Sequence, residues 1–152
     1  MTVTLDIGQA FPFLIGTVFA VVIVMILTLL WKKAYRFFAS RKYDRTDRVA
    51  LQERWTEIEA MVRAPGEVSI KLAVIEADKL LDQTLKLLAF PGTSLGERLR
   101  FAQYKYPDLR NVWWAHKVRN QLAHEASYHL ERGMAKKAVA EFKRALARLG
   151  AV

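Results

Sequence analysis

Apolar residues fill one continuous block near the start of the chain and afterwards recur every three or four positions. From Ile7 to Trp31 no residue is charged. Within that block, Phe11 to Trp31 supplies the roughly 20 apolar residues that a helix rising about 1.5 Å per residue needs to cross about 30 Å of hydrocarbon. A buried core helix is the competing reading, but a run apolar on every side finds too little to pack against in the small domain that follows. A cleaved signal peptide would need basic residues before the apolar run and a small-x-small site directly after it, and neither is present. The block is therefore expected to be a retained membrane span.

Past Ser40 the pattern is amphipathic and helical, with breaks at Pro65-Gly66, Pro91-Gly92 and Pro107. Asp44 to Ala64 carries Val49, Trp55, Ile58, Met61 and Val62 between charges and predicts a helix continuing from the membrane stalk. Val68 to Ala89 is the most apolar, with Ile70, Val74, Ala77, Leu81, Leu85 and Leu88 on one stripe, and should form the centre of the core. Ser94 and Glu97 have the spacing of a capping box and open a short helix ending near Lys105. Asp108 is placed to cap a helix running through Trp113, Trp114, Val118 and Leu122 to about Glu125, and a last helix runs from about Glu131 to Leu149. No alternating strand pattern occurs. The fold class expected is all-α: an N-terminal transmembrane helix and basic stalk over residues 1–43, an amphipathic connecting helix over 44–66, and a four- or five-helix bundle over 67–152.

Charge sharpens the division. All 24 Lys and Arg lie after Trp31, and the remainder of the chain carries a net +10, because Asp6 is the lone charge before it. Lys32, Lys33, Arg36, Arg41, Lys42, Arg45 and Arg48 crowd the C-terminal flank of the apolar block, which by the positive-inside bias puts that flank in the cytoplasm and the N-terminus outside. The expected localisation is a plasma (inner) membrane with a single span. The chain has no Cys, so disulfides, thiolate catalysis and Cys-based zinc sites are excluded.

Chemistry concentrates late in the chain, where His116, His124 and His129 fall within fourteen residues. On a helix Trp114, Val118 and Leu122 form an apolar stripe, and His116, Asn120 and His124 a second, polar one on the far side. That polar face is either a solvated surface or a functional one. His124 and His129 are one residue too far apart for the zincin spacing, and His116 and His124, though on one face, stand about 12 Å apart along the axis, so no metal site is expected. Gly92-Thr93-Ser94-Leu95-Gly96 lacks the arrangement of a phosphate-binding loop, and no Gly-x-Ser-x-Gly elbow occurs.

The run Val118-Arg119-Asn120-Gln121-Leu122-Ala123-His124-Glu125 resembles the signature of the HEPN superfamily, Arg followed by four to six residues and His, commonly with Asn after the Arg. Arg110-Asn111 and His116 also meet that spacing. The later match is fuller and lies on a long helix after a leucine-rich one, and the resemblance covers roughly Val68 to Leu149. It implies an α-helical homodimer and a metal-independent endoribonuclease needing no cofactor, with the active site at the dimer interface. The 2′-hydroxyl would attack the neighbouring phosphorus, leaving a cyclic phosphate. His124 would transfer the proton, Arg119 would hold the phosphate and offset transition-state charge, and Asn120 would orient His124 or donate to the phosphate. Other members of the superfamily have lost catalysis and act as interaction modules, so a silent scaffold binding a protein partner at the cytoplasmic membrane face is the alternative. Arg119 and His124 are about 140° apart on a regular helix, which favours a site shared between two copies. The basic body suits RNA and acidic lipids alike. Tyr104, Tyr106, Trp113 and Trp114 could stack on bases, although their helical spacing favours core or dimer contacts.

Overall fold

The computed structural model describes residues 16–31, 44–125 and 128–152. The chain divides into two compact units, Met1–Ser40 and Arg41–Val152.

In the first unit residues 16–31 form helix α1, and its large apolar side chains from Val18 to Trp31 are exposed. Sixteen residues rise about 24 Å, short of the hydrocarbon thickness. Among the described residues no helix is long and apolar enough to cross a membrane. The first part of the expected span, residues 7–15, and most of the basic flank, residues 32–43, lie outside the described residues.

The second unit is an all-helical bundle: α2 (Arg45–Arg63), α3 (Glu67–Leu87), α4 (Leu95–Lys105), a 3-10 turn (Pro107–Asn111), α5 (Val112–His124) and α6 (Arg132–Arg148). Helix α3 is the axis, touching α2, α4, α5 and α6. All six residues of its predicted stripe are buried, and they meet Leu51, Trp55 and Ile58 of α2, Val112, Ala115 and Val118 of α5, and Val139, Phe142 and Leu146 of α6. Helix α2, expected as a connector, thus supplies part of the bundle's core. Alanines at 73, 77, 115, 135 and 138 are fully buried; small side chains at such crossings let helices approach closely.

Capping fixes the helix ends. The Asp44 carboxylate accepts the Arg45 N–H at 2.6 Å. Arg132 donates to Val62 O and Ala64 O at 2.9 and 3.0 Å, so the start of α6 satisfies carbonyls left over at the end of α2. Ser94 Oγ accepts from Glu97 N as expected, but the Glu97 carboxylate reaches one residue further back than a capping box requires. It takes the Thr93 N–H at 2.6 Å and the Thr93 hydroxyl at 2.9 Å, and these two bonds hold its pKa below the ordinary value. Buried Arg98 then ties this end of α4 to α3, donating to Asp82 at 2.8 Å and to Gly92 O.

One predicted start is displaced. Asp108 does not cap α5; it lies inside the 3-10 turn and pairs with Arg148 at 3.1 Å, and α5 begins at Val112 without a side-chain cap.

Candidate functional site

Helix α5 carries the candidate chemistry, and its rotation differs from the sequence expectation. The buried positions are Val112, Ala115 and Val118, with Leu122 partly buried, whereas Trp114 is 36% exposed under the Lys137 ammonium, 5.0 Å from its ring centroid. The expected stripe of Trp114, Val118 and Leu122 is corrected accordingly. The inward face centres on Ala115, whose small side chain lets α5 close on its neighbours and leaves the two bulky indoles to its flanks. Trp113 leans on α4, where a Cβ added at Gly96 would stand 3.5 Å from the ring.

The rotation turns His116 and Arg119 toward Asp78 of α3. Asp78 is only 3% exposed and lies within the apolar stripe, four residues after Val74 and three before Leu81. Its Oδ1 is 2.6 Å from His116 Nδ1, and its Oδ2 is 3.1 Å from Arg119 Nε. The second contact is an ion pair off the line of a hydrogen bond. Arg119 Nη1 donates to Asn120 Oδ1 at 3.2 Å, and Asn120 Nδ2 lies 3.3 Å from His116 Nε2. Four side chains therefore close a ring: Asp78, His116, Asn120, Arg119 and back to Asp78. Every role is consistent when His116 donates through Nδ1 and accepts through Nε2, for the carboxylate can only accept and the guanidinium only donate. Trp113 meets the imidazole edge to face at 6.1 Å.

The His116 and Arg119 side chains keep 13% and 29% of their surface. The carboxylate is thus sealed inside, and the guanidinium reaches the surface already oriented.

Of the three residues expected to act, Arg119 and Asn120 are brought together in this ring, and His124 is not part of it. His124 ends α5, is exposed, and has no hydrogen-bond or ion-pair partner among the described residues. Lys117, seven residues earlier and one face with it on a regular helix, is exposed as well. Among the described residues no three His, Asp or Glu gather closely enough to hold a metal ion.

Sequence reasoning missed Asp78 and the position of His116. Asp78 did leave a signal, a lone acid inside an otherwise apolar helical stripe, which burial penalises unless a cation or donor meets it. His116 belonged to the weaker of the two Arg-to-His matches. In the structure it supports Arg119 of the stronger one.

No family model, no curated protein and no solved structure matches this chain.

Proposed function

We propose that this chain is a membrane-anchored, HEPN-type endoribonuclease whose active site is completed by a second copy. The observation that carries the reading is the ring around Asp78. It preorganises Arg119 and Asn120 at the surface, while the imidazole of His124 stands exposed at the end of the same helix. A guanidinium held by a buried carboxylate needs no reorganisation when charge develops on a phosphate oxygen, which is the most effective form of electrostatic stabilisation. His124 is the proton-transfer group, since an imidazole can take and return a proton near neutral pH. The 2′-hydroxyl attacks phosphorus, the 5′-oxygen leaves with a proton, and the products are a 2′,3′-cyclic phosphate and a free 5′-hydroxyl. Arg119 and His124 diverge by about 140° on one helix, so each faces a phosphate held mainly by the other copy.

Anchoring is supported by the uncharged run from Ile7 to Trp31 and by the exposed apolar side chains of α1. The cations from Lys32 to Arg48 support a cytoplasmic position for the bundle.

A second reading, a catalytically silent HEPN module tethering a protein partner, draws on the same ring, because Asp78 offsets the charge of Arg119. One experiment separates the two. The full chain in neutral detergent is incubated with RNA in EDTA beside Arg119→Ala and His124→Ala, with thermal melts to confirm folding. Metal-independent cleavage that both substitutions abolish is the expected result. An inert, folded wild type leaves the silent module.

A further inference from the structure

Many cations on the bundle's surface sit beside an acid. Arg54 pairs with Glu57 and Glu76, Lys71 with Glu67, Lys79 with Glu76, Lys86 with Asp82, and Lys143 with Glu59. The outer face of α5, the adjoining edge of α6 and the end of the 3-10 turn gather cations that do not. Arg110, Lys117 and Lys137 are exposed, and none has an ion-pair partner among the described residues. Glu141, four residues after Lys137 and so the acid best placed to meet it, is taken by Arg144 at 2.6 Å. Beside these unneutralised cations lies Trp114, 36% exposed, with Lys137 over its ring.

From this juxtaposition we infer that the α5–α6 edge is a binding track for single-stranded RNA: Trp114 stacks on a base, and Lys117 and Lys137 hold the flanking phosphates. A stacking platform between cations suits a strand whose bases are unpaired, because a duplex hides its base faces. A solvated surface does not need an exposed indole set among unpaired cations. The track also leads to the proposed proton-transfer group. On a regular helix Lys117 and His124 differ by about 20° around the axis and about 10 Å along it, so a strand stacked on Trp114 and held at Lys117 runs toward His124.

The inference rests on RNA being the substrate class, and it can fail separately from the nuclease reading. The probe is a labelled, 2′-O-methylated single-stranded oligoribonucleotide, which lacks the attacking hydroxyl and so reports binding alone. It is titrated by fluorescence polarisation against the full chain in neutral detergent at several salt concentrations. Trp114→Ala should weaken binding about tenfold, and Trp114→Phe, which keeps a ring, should recover most of it. Lys117→Gln with Lys137→Gln should lower the slope of log affinity against log salt by about 1.4, two single-strand phosphate contacts, whereas Lys79→Gln, whose cation is already paired, should leave it unchanged. Affinity that does not move in the folded Trp114 and lysine variants overturns the proposal. So does an intact affinity for the oligonucleotide joined to weaker retention on phosphatidylserine relative to phosphatidylcholine vesicles, which would assign the face to a membrane. His124→Ala should abolish cleavage with little change in affinity. A wild type that binds through Trp114 and the lysines but never cleaves keeps the track and removes the nuclease.

Discussion

Asp78 shows how a single side chain can decide what a polar helix face is for. A carboxylate among Val74, Ala77 and Leu81 loses its hydration on folding, and His116 returns a hydrogen-bond partner and Arg119 a counter-charge. Asp78→Asn keeps the shape but exchanges one acceptor for an amide donor, which must then face either the imidazole N–H or the guanidinium. The expected loss is about 1–3 kcal/mol of stability by urea denaturation, and the proposed RNA cleavage should fall with it beyond the folded fraction, because Arg119 is no longer held. The aromatic residues divide on the same principle. Phe142 is fully buried, and Phe142→Ala should cost about 3–5 kcal/mol, whereas Trp114→Ala should cost about 1 kcal/mol or less, since the indole lies on the surface. Residue types at helical spacing made Trp114, Val118 and Leu122 look like the inward stripe. They could not register that Ala115, unremarkable as a sequence symbol, marks the point of closest approach and turns the helix so that both indoles flank it.

At the scale of elements, the helices announced themselves through their ends. Ser94 is the cap the sequence suggested, Asp44 caps α2 at the limit predicted for it, and α2, α3, α4 and α6 start and stop within a residue or two of their predicted limits. What failed was the start of α5, because Pro107-Asp108 reads equally well as an N-terminus of an α-helix or of a 3-10 turn, and only packing around buried Leu109 chooses. Two helices end in the same motif with different residues. The N–H of Phe90 donates to Leu85 O with Ala89 in the left-handed region at φ 57°, and the N–H of Ala151 donates to Leu146 O with Gly150 there at φ 77°. Ala89→Gly should therefore raise the unfolding free energy by a few tenths to about 1 kcal/mol, and Gly150→Ala should lower it by a similar amount, both readable as opposite shifts in Tm. Between α2 and α6 the Glu59 carboxylate accepts from Lys143 at 2.6 Å and from Trp55 Nε1 at 2.8 Å, and these bonds, the lysine's first, hold its pKa below the ordinary 4.5. A lowered carboxyl pKa adds stability that is complete above the unfolded value and disappears as pH falls through the folded one. The gap in Tm between wild type and Glu59→Gln should thus be widest above about pH 5 and close progressively as pH drops below the ordinary carboxylate range.

For the whole molecule, the proposed activity depends on how two copies share their functional groups, and helix geometry makes that a question of arithmetic. An Arg119→Ala chain retains His124, and a His124→Ala chain retains Arg119. In a two-fold dimer whose sites each take the guanidinium from one copy and the imidazole from the other, a mixed dimer of these variants contains one intact site and one that lacks both groups. Random pairing of equal amounts makes half of the dimers mixed, so the mixture should regain about a quarter of wild-type cleavage although each variant alone is inert. Sites drawing both groups from the same copy would regain none. The proposed anchoring sharpens the comparison, because copies held in one membrane would meet at raised effective concentration: co-reconstitution of the two variants in one vesicle should restore activity at protein levels where soluble mixing does not. The α1 segment, exposed and apolar along its described length, is what should hold them there. A reporter fused after Val152 should accordingly be active in the cytoplasm, because the cations that follow Trp31 stay on that side; activity on the opposite side would reverse the topology and take the bundle away from intracellular RNA.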